Sequence, residues 1–198
     1  MTRGRAQLHG KAALDRLYRG FHGTGAGLLF LDFDDVICTS KPYGGYDLFQ
    51  AADEQPADLF ERLWHPPAVQ ALLTILEEHA PRVVITTSWL RLMERAGFEA
   101  LFRKTGLEPV ANALHQQWEA PALRGVTRHG AIELWLHSYY RGEPLIILDD
   151  ELSGTGLKGS KLDRIGSVLL CEQGVGLHAG HLPLVRKALT GAPHDSIG

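Results

Sequence analysis

Four consecutive apolar residues, Leu28-Leu29-Phe30-Leu31, run straight into Asp32. A short unbroken apolar run is what a strand buried on both faces looks like. The pattern recurs at Arg82-Val83-Val84-Ile85-Thr86-Thr87-Ser88, at Leu145-Ile146-Ile147-Leu148 running into Asp149-Asp150, and at Ser167-Val168-Leu169-Leu170-Cys171. Between these runs the period changes to that of a helix. Pro67 opens one with Val69, Leu72, Leu73 and Leu76 on one side, ending near His79, where Pro81 stops it. Leu90 to Lys104 predicts a second, closed by Gly106. Thr127 is a fitting N-cap for a third through Tyr140, with Ala131, Ile132, Trp135, Leu136 and Tyr139 spaced to face a core. His181 to Leu189 predicts a closing helix. Residues 107–114 read as a short further strand, and 115–126 as a loop containing Trp118 and Pro121. Residues 38–66 are irregular and rich in Gly, Pro and aromatics.

Strands alternating with helices predict an α/β fold with a doubly wound, mainly parallel sheet. In such sheets ligands bind at the carboxyl ends of the strands. The polar residues here fall at those ends: Asp32-Phe33-Asp34-Asp35, Thr86-Thr87-Ser88 and Asp149-Asp150-Glu151.

The length, 198 residues, suits one domain. The expected division is an N-terminal helix or arm over 1–27, a catalytic domain over 28–190 and a tail over 191–198. A net charge of −3 and a pI near 6.4 give no overall footprint for bulk nucleic-acid binding. Arg3, Arg5, Lys11, Arg16 and Arg19 against Asp15 still leave a local basic segment, either a solvated helix or a phosphate-contacting surface. The two cysteines, Cys38 and Cys171, make neither a metal motif nor a disulfide framework and read as small buried hydrophobes. The histidines read as surface or core groups. With no signal-like segment and no apolar run long enough to span a membrane, a cytoplasmic protein is expected.

An acid directly after a buried strand is costly unless it is paired or binds a metal. Asp32 and Asp34 are expected to point the same way if strand alternation persists. Close carboxylates repel, and a divalent cation relieves the repulsion; Mg²⁺ suits a few carboxylates with water and phosphate oxygens. A carboxylate beside such a cation can attack phosphorus, and a second carboxyl two residues on can protonate the leaving oxygen and then activate water. Asp149 and Asp150 repeat the acidic pattern and are expected to complete the metal site. Thr86, Thr87 and Ser88 offer hydroxyls to a phosphoryl oxygen, Thr87 foremost. The cation facing the phosphate is Arg128, with Lys158 and Lys161 as rivals. Tyr43, Tyr46, Phe49 and Trp64 lie in the irregular segment, where they either stack on a base or pack the segment onto the body.

At these residues the chain resembles the haloacid dehalogenase-like (HAD) superfamily. Leu29 to Val36 is similar to its first motif, with Asp35 where Gly is usual. Val83 to Trp89 is similar to the second motif and Ile147-Leu148-Asp149-Asp150 to the fourth. The HAD domain of Swiss Army Knife RNA repair proteins is similar in Thr87-Ser88-Trp89, in Arg128 with Ala131 to Leu136, in Leu148 to Glu151 and in Gly176-Leu177. The resemblance implies a Rossmann-like core with a small insert and no large cap. It implies Asp32 as nucleophile, Asp34 as general acid/base, Thr87 as phosphoryl holder and Arg128 in place of the third-motif Lys. It implies Mg²⁺ held by Asp32, the main-chain carbonyl of Asp34, and Asp149 or Asp150. The expected function is a Mg²⁺-dependent phosphomonoesterase acting on nucleotides or nucleic-acid ends. The alternatives are a catalytically weak module that binds a phosphorylated partner, and phosphotransfer within the same fold.

Overall fold

The computed structural model describes residues 11–19, 23, 25–120, 123–151 and 155–190. Arg3, Arg5, Gly20, Pro121, Gly154 and the expected tail over 191–198 lie outside the described residues.

Five parallel strands form one sheet in the order β3-β2-β1-β4-β5. They are β1 (Leu28–Leu31), β2 (Arg82–Ile85), β3 (Leu114–Glu119), β4 (Leu145–Asp150) and β5 (Val168–Cys171). The central register aligns Leu31 with Ile85 on one side and with Leu148 on the other. Asp32 and Asp149-Asp150 therefore leave the sheet at the same edge.

Residues 11–17 are helical (α1). The helices that follow are α2 (Gly45–Leu48), α3 (Leu59–Arg62), α4 (Pro66–His79), α5 (Arg95–Lys104), α6 (Glu108–Ala113), α7 (Arg128–Tyr139), α8 (Lys161–Arg164) and α9 (Leu182–Thr190). Strand alternation divides the core in two. Leu29, Leu31, Val83, Ile85, Ile146 and Leu148 face α4, α5, α6 and α9, while Leu28, Phe30, Val84, Leu145 and Ile147 face α1 and α7. Helices on both faces make this the doubly wound α/β sheet expected. Ala13, Leu14 and Leu17 of α1 are buried in the α7-side cluster.

Three expectations are corrected. The stretch 107–114 is not a strand, because Pro109 sits in the first turn of α6. The strand is Leu114–Glu119, which shares only Leu114 with that stretch and otherwise lies inside the expected loop. It is an edge strand, whose polar His115, Gln116 and Gln117 are partly or largely exposed and hide the usual apolar signal. The expected helix over 90–104 is instead a 3-10 turn at Ser88–Arg91 followed by α5. Tyr139 is 42% exposed and does not face the core, unlike Ala131, Ile132, Trp135 and Leu136.

The insert between β1 and α4 carries the short helices α2 and α3 and is too small for a large cap. Trp64 stacks on Trp89 with centroids 5.7 Å apart, and Phe49 meets Trp89 edge-on at 5.6 Å. These aromatics pin the insert to the body. At the centre of the cluster lies Phe33, fully buried against Trp64, Trp89, Phe98 and Phe102. Phe33→Ala is expected to cost about 3–5 kcal/mol of unfolding free energy, measured by urea titration. A loss under about 1 kcal/mol would mean that this cluster does not anchor the turn after β1.

Candidate active site

The site begins where β1 ends. Asp32 follows the phase of Leu28 and Phe30, so its side chain leaves the sheet on the α7 face. Asp149 follows Leu145 and Ile147 onto the same face. Helix α7 starts directly above them, with Thr127 as N-cap accepting the Gly130 N–H at 3.1 Å. The first residue of α7 is Arg128. Its Nη1 lies 2.7 Å from Asp32 Oδ1 and donates a hydrogen bond to Asp149 Oδ2 at 3.2 Å. The Asp32 contact is an ion pair without hydrogen-bond alignment.

Asp32, Asp149 and Asp150 are all buried, and one carboxylate oxygen from each lies within 4.8 Å of the others. Burial pushes the Asp32 carboxyl above the ordinary carboxylate range, and Arg128 only partly reverses this. Burial also pushes Asp149 up, reinforced by the charge of Asp32. One guanidinium thus faces three clustered carboxylates. The donor set is all hard oxygen, and a divalent cation fits it. Its presence would relieve the same desolvation and repulsion that raise the two carboxyls.

Asp34 is placed differently. Pairing of β1 stops at Leu31, and the chain turns tightly, with the N–H groups of Val36, Ile37 and Cys38 all donating to the Phe33 carbonyl. Regular strand alternation is lost there, yet Asp34 stays close enough for its charge to act on Asp32 and for Arg128 to act on it. The Asp34 carboxylate is outside the clustered acids. It accepts Trp89 Nε1–H at 3.1–3.2 Å and Ser88 Oγ–H at 3.3 Å. Burial raises its carboxyl, opposed by those two donors.

Asp35 is the residue that stands where Gly is usual in the resembling motif. It adopts φ +54°. Asp tolerates this left-handed conformation better than most side chains. Its carboxylate accepts the Gly174 N–H at 2.8 Å, tying the turn to the loop after β5. Gly176 closes the other side: a Cβ there would lie 2.8 Å from the Val36 carbonyl oxygen.

Of the three hydroxyl residues after β2, Thr87 caps the 3-10 turn by accepting the Trp89 N–H. Ser88 reaches Asp34, and the buried Thr86 hydroxyl has no hydrogen-bond partner among the described residues. All three line a pocket of about 190 Å³ beside Arg128. A wider groove, about 600 Å³, runs from Asp34 past Ser88 and Trp89 to Phe49, Tyr46 and Leu92. Tyr46 is 81% exposed there. Tyr43 does not line this groove; it donates to Asp58 within the insert. Lys161 lies over the Tyr18 ring, and Lys158 is exposed, so Arg128 alone of the three expected cations contacts the acids.

Sequence reasoning missed Trp89 as the partner of Asp34. The signal was available, since a tryptophan buried beside a strand end needs an acceptor for its N–H. Arg91, which lines the pocket beside Arg128, was also missed. An exposed arginine on a short turn carries no signal of its own.

The model of one family, the HAD domain in Swiss Army Knife RNA repair proteins, matches residues 28–182. No curated protein and no solved structure matches the chain. Among the described residues no helix is long and apolar enough to cross a membrane.

In the metal-free chain, the raised carboxyls of Asp32 and Asp149 favour the folded state at low pH. That contribution is lost as pH climbs beyond the ordinary carboxylate range. A divalent cation needs the ionised forms, so its effect runs the other way. Saturating Mg²⁺ or Mn²⁺ is expected to raise Tm by roughly 5–10 °C at about a hundred times Kd. The rise should be larger at pH 8 than at pH 5.5 and absent in Asp149→Asn. A thermal shift that ignores pH, or survives Asp149→Asn, would place the cation elsewhere.

Proposed function

The chain belongs to the family of HAD domains found in Swiss Army Knife RNA repair proteins, and on that premise we propose that it is a Mg²⁺-dependent phosphomonoesterase. It works through an aspartyl-phosphate intermediate, and its substrates are nucleotides or nucleic-acid ends. The observation that carries this reading is the buried Asp32 carboxylate, ion-paired to Arg128 and clustered with Asp149 and Asp150 at one sheet edge.

Mg²⁺, when bound by Asp32, Asp149, Asp150 and the main-chain carbonyl of Asp34, supplies neutralisation of the phosphate and of the nucleophile. The chain's own groups do the rest. An oxygen of Asp32 attacks phosphorus, and the bond from phosphorus to the ester oxygen breaks. The leaving oxygen takes the bond's electron pair and the proton of Asp34. In the second step Asp34 takes a proton from water as the water oxygen attacks phosphorus. The bond to Asp32 breaks, its carboxylate is restored and inorganic phosphate departs. Burial favours the protonated form of Asp34, while Trp89 and Ser88 favour the ionised form. A group balanced in this way suits both halves of the cycle. Arg128 holds its positive charge beside Asp32 throughout, and the Thr87 hydroxyl bonds a phosphoryl oxygen with Thr86 and Ser88 nearby.

Tyr46 offers an exposed ring on the Asp34 side, where a leaving nucleoside would lie, and stacking suits it to any base. Tyr43 supports the insert that carries it, through Asp58. The thiols of Cys38 and Cys171 are buried, free and pushed up to about 12 by burial. Unoxidised cysteines of this kind fit a cytoplasmic setting.

The test is phosphate release from mononucleotides and from 5′- and 3′-phosphorylated oligonucleotides, with Mg²⁺ and with chelator. Release is expected only with Mg²⁺, and Asp32→Asn should lower it on the order of a thousandfold or more while leaving the fold intact. Wild-type turnover in Asp32→Asn would overturn the mechanism. No release from any substrate, with Mg²⁺ still stabilising the protein, would instead support the phosphate-binding module. Trp89→Phe keeps the ring packing but removes the donor to Asp34, and is expected to lower kcat by roughly tenfold with little change in Tm. An unchanged kcat would separate Trp89 from the reaction.

A further inference from the structure

Charge is distributed unevenly across the site. Arg91 and Arg128 line the pocket in which Thr86, Thr87 and Ser88 would meet the phosphoryl group, and no acid is among its described lining residues. The groove on the Asp34 side is the reverse. Asp34 and Asp47 line it, and no lysine, arginine or histidine is among its described lining residues. Its apolar surface comes from two elements. Tyr46 and Phe49 belong to the insert, and Trp89 and Leu92 to the 3-10 turn after β2. Tyr46 and Leu92 are the largely exposed members of that set, at 81% and 64%.

The reaction decides what enters this groove. Asp34 lines it and, in the phosphomonoesterase reading, gives its proton to the leaving oxygen. The leaving group therefore occupies the groove. Its volume, about 600 Å³, falls within the roughly 300–1,000 Å³ of sites that enclose a small molecule, and a nucleoside fits it. A leaving group that is itself a phosphate does not suit it. Such a group would lie toward Asp47 with no cation to meet it, and close like charges repel. Asp47 is held in place, because its Oδ2 accepts the Gly44 N–H at 2.8 Å at the start of α2. A base, by contrast, gains by covering the exposed ring of Tyr46 and the exposed side chain of Leu92.

We infer that the groove is a nucleoside site that rejects phosphoanhydrides, with Tyr46 and Leu92 gripping the base and Asp47 repelling a phosphate bonded to the first. The inference rests on the phosphomonoesterase reading and narrows it. The phosphate removed is esterified to a sugar hydroxyl of a nucleoside, and the terminal phosphates of nucleoside diphosphates are poor substrates. A mononucleotide and a polynucleotide end both present such an ester.

The experiment compares kcat/KM for a nucleoside 5′-monophosphate, the matching 5′-diphosphate, and ribose 5-phosphate, which has the same ester without the base. The proteins are wild type, Tyr46→Ala, Tyr46→Phe, Leu92→Ala, Asp47→Asn and, as a control for loss of an exposed apolar side chain elsewhere, Leu184→Ala on α9. Wild type and Leu184→Ala are expected to favour the monophosphate over each of the other two by roughly tenfold or more, the scale of one base stacked on an aromatic ring. Tyr46→Ala and Leu92→Ala should bring the ratio of monophosphate to ribose 5-phosphate toward one, and Tyr46→Phe should restore it. Asp47→Asn keeps an oxygen for the Gly44 N–H but removes the charge, and should raise the diphosphate relative to the monophosphate severalfold. A wild type that turns over ribose 5-phosphate or the diphosphate as well as the monophosphate would overturn the proposal. Ratios left unchanged by Tyr46→Ala, Leu92→Ala and Asp47→Asn would overturn it as well. If no substrate turns over at all, the phosphatase reading fails separately. The monophosphate and ribose 5-phosphate are then titrated calorimetrically against each protein. Tighter binding of the monophosphate that depends on Tyr46 and Leu92 would still support the groove; equal affinities would refute it.

Discussion

The rest of the site depends on the desolvation of the acids at the carboxyl edge of the sheet. Asp32, Asp149 and Asp150 are placed where strands buried on both faces run out, so the backbone that positions them also removes them from water. Arg128 brings its guanidinium against Asp32 and Asp149. The raised Asp32 and Asp149 carboxyls express first their burial and then the repulsion among the acids, which Arg128 opposes. A fold that held these acids only for stability would gain by replacing them. A bound dication would turn the same repulsion into binding energy.

Strand phase explains the division of labour. Residues in phase with Phe30, Val84 and Ile147 leave the sheet under α7, which is why Asp32, Thr86 and Asp149 share a face with Arg128. The turn after Leu31 breaks that phase and sets Asp34 against Trp89, at the edge of the aromatic cluster around Phe33. Asp32 and Asp34 therefore lie two positions apart in the chain but in environments of different character. Asp35 makes the turn possible with a left-handed backbone and fastens it to Gly174. The insert matters for the same reason. Gly45 packs so closely on the indole of Trp89 that a Cβ would lie 2.8 Å from its Nε1, so the insert holds the ring that holds Asp34.

Much of this was legible in the chain, for physical reasons. Short unbroken apolar runs read as buried parallel strands, and four of the five strands announced themselves in that way, β1 and β4 by running directly into acids as well. The fifth, β3, did not, because an edge strand with exposed His115, Gln116 and Gln117 lacks the apolar run. The metal acids were legible because a carboxylate after a buried strand demands a partner. Thr127 and Arg128 were legible as a cap followed by a charge at the start of an amphipathic segment. The pairing of Asp34 with Trp89 was not, since it depends on how the turn after β1 packs against the 3-10 turn after β2. Arg91 and its approach to Arg128 were invisible for another reason. They come together only through the placement of α7 over the end of β2, which no local pattern encodes.

The central claim is that Asp32 becomes phosphorylated during turnover, and covalent trapping tests it most directly. The protein is quenched in acid while turning over a phosphorylated oligonucleotide, reduced with borohydride and digested, and the peptides are sequenced by mass spectrometry. An acyl phosphate is reduced to the alcohol, so homoserine is expected in place of aspartate at position 32. It should depend on both substrate and divalent cation. Homoserine at Asp34, Asp149 or Asp150 instead, or an unmodified Asp32 peptide from protein that is releasing phosphate, would contradict the account.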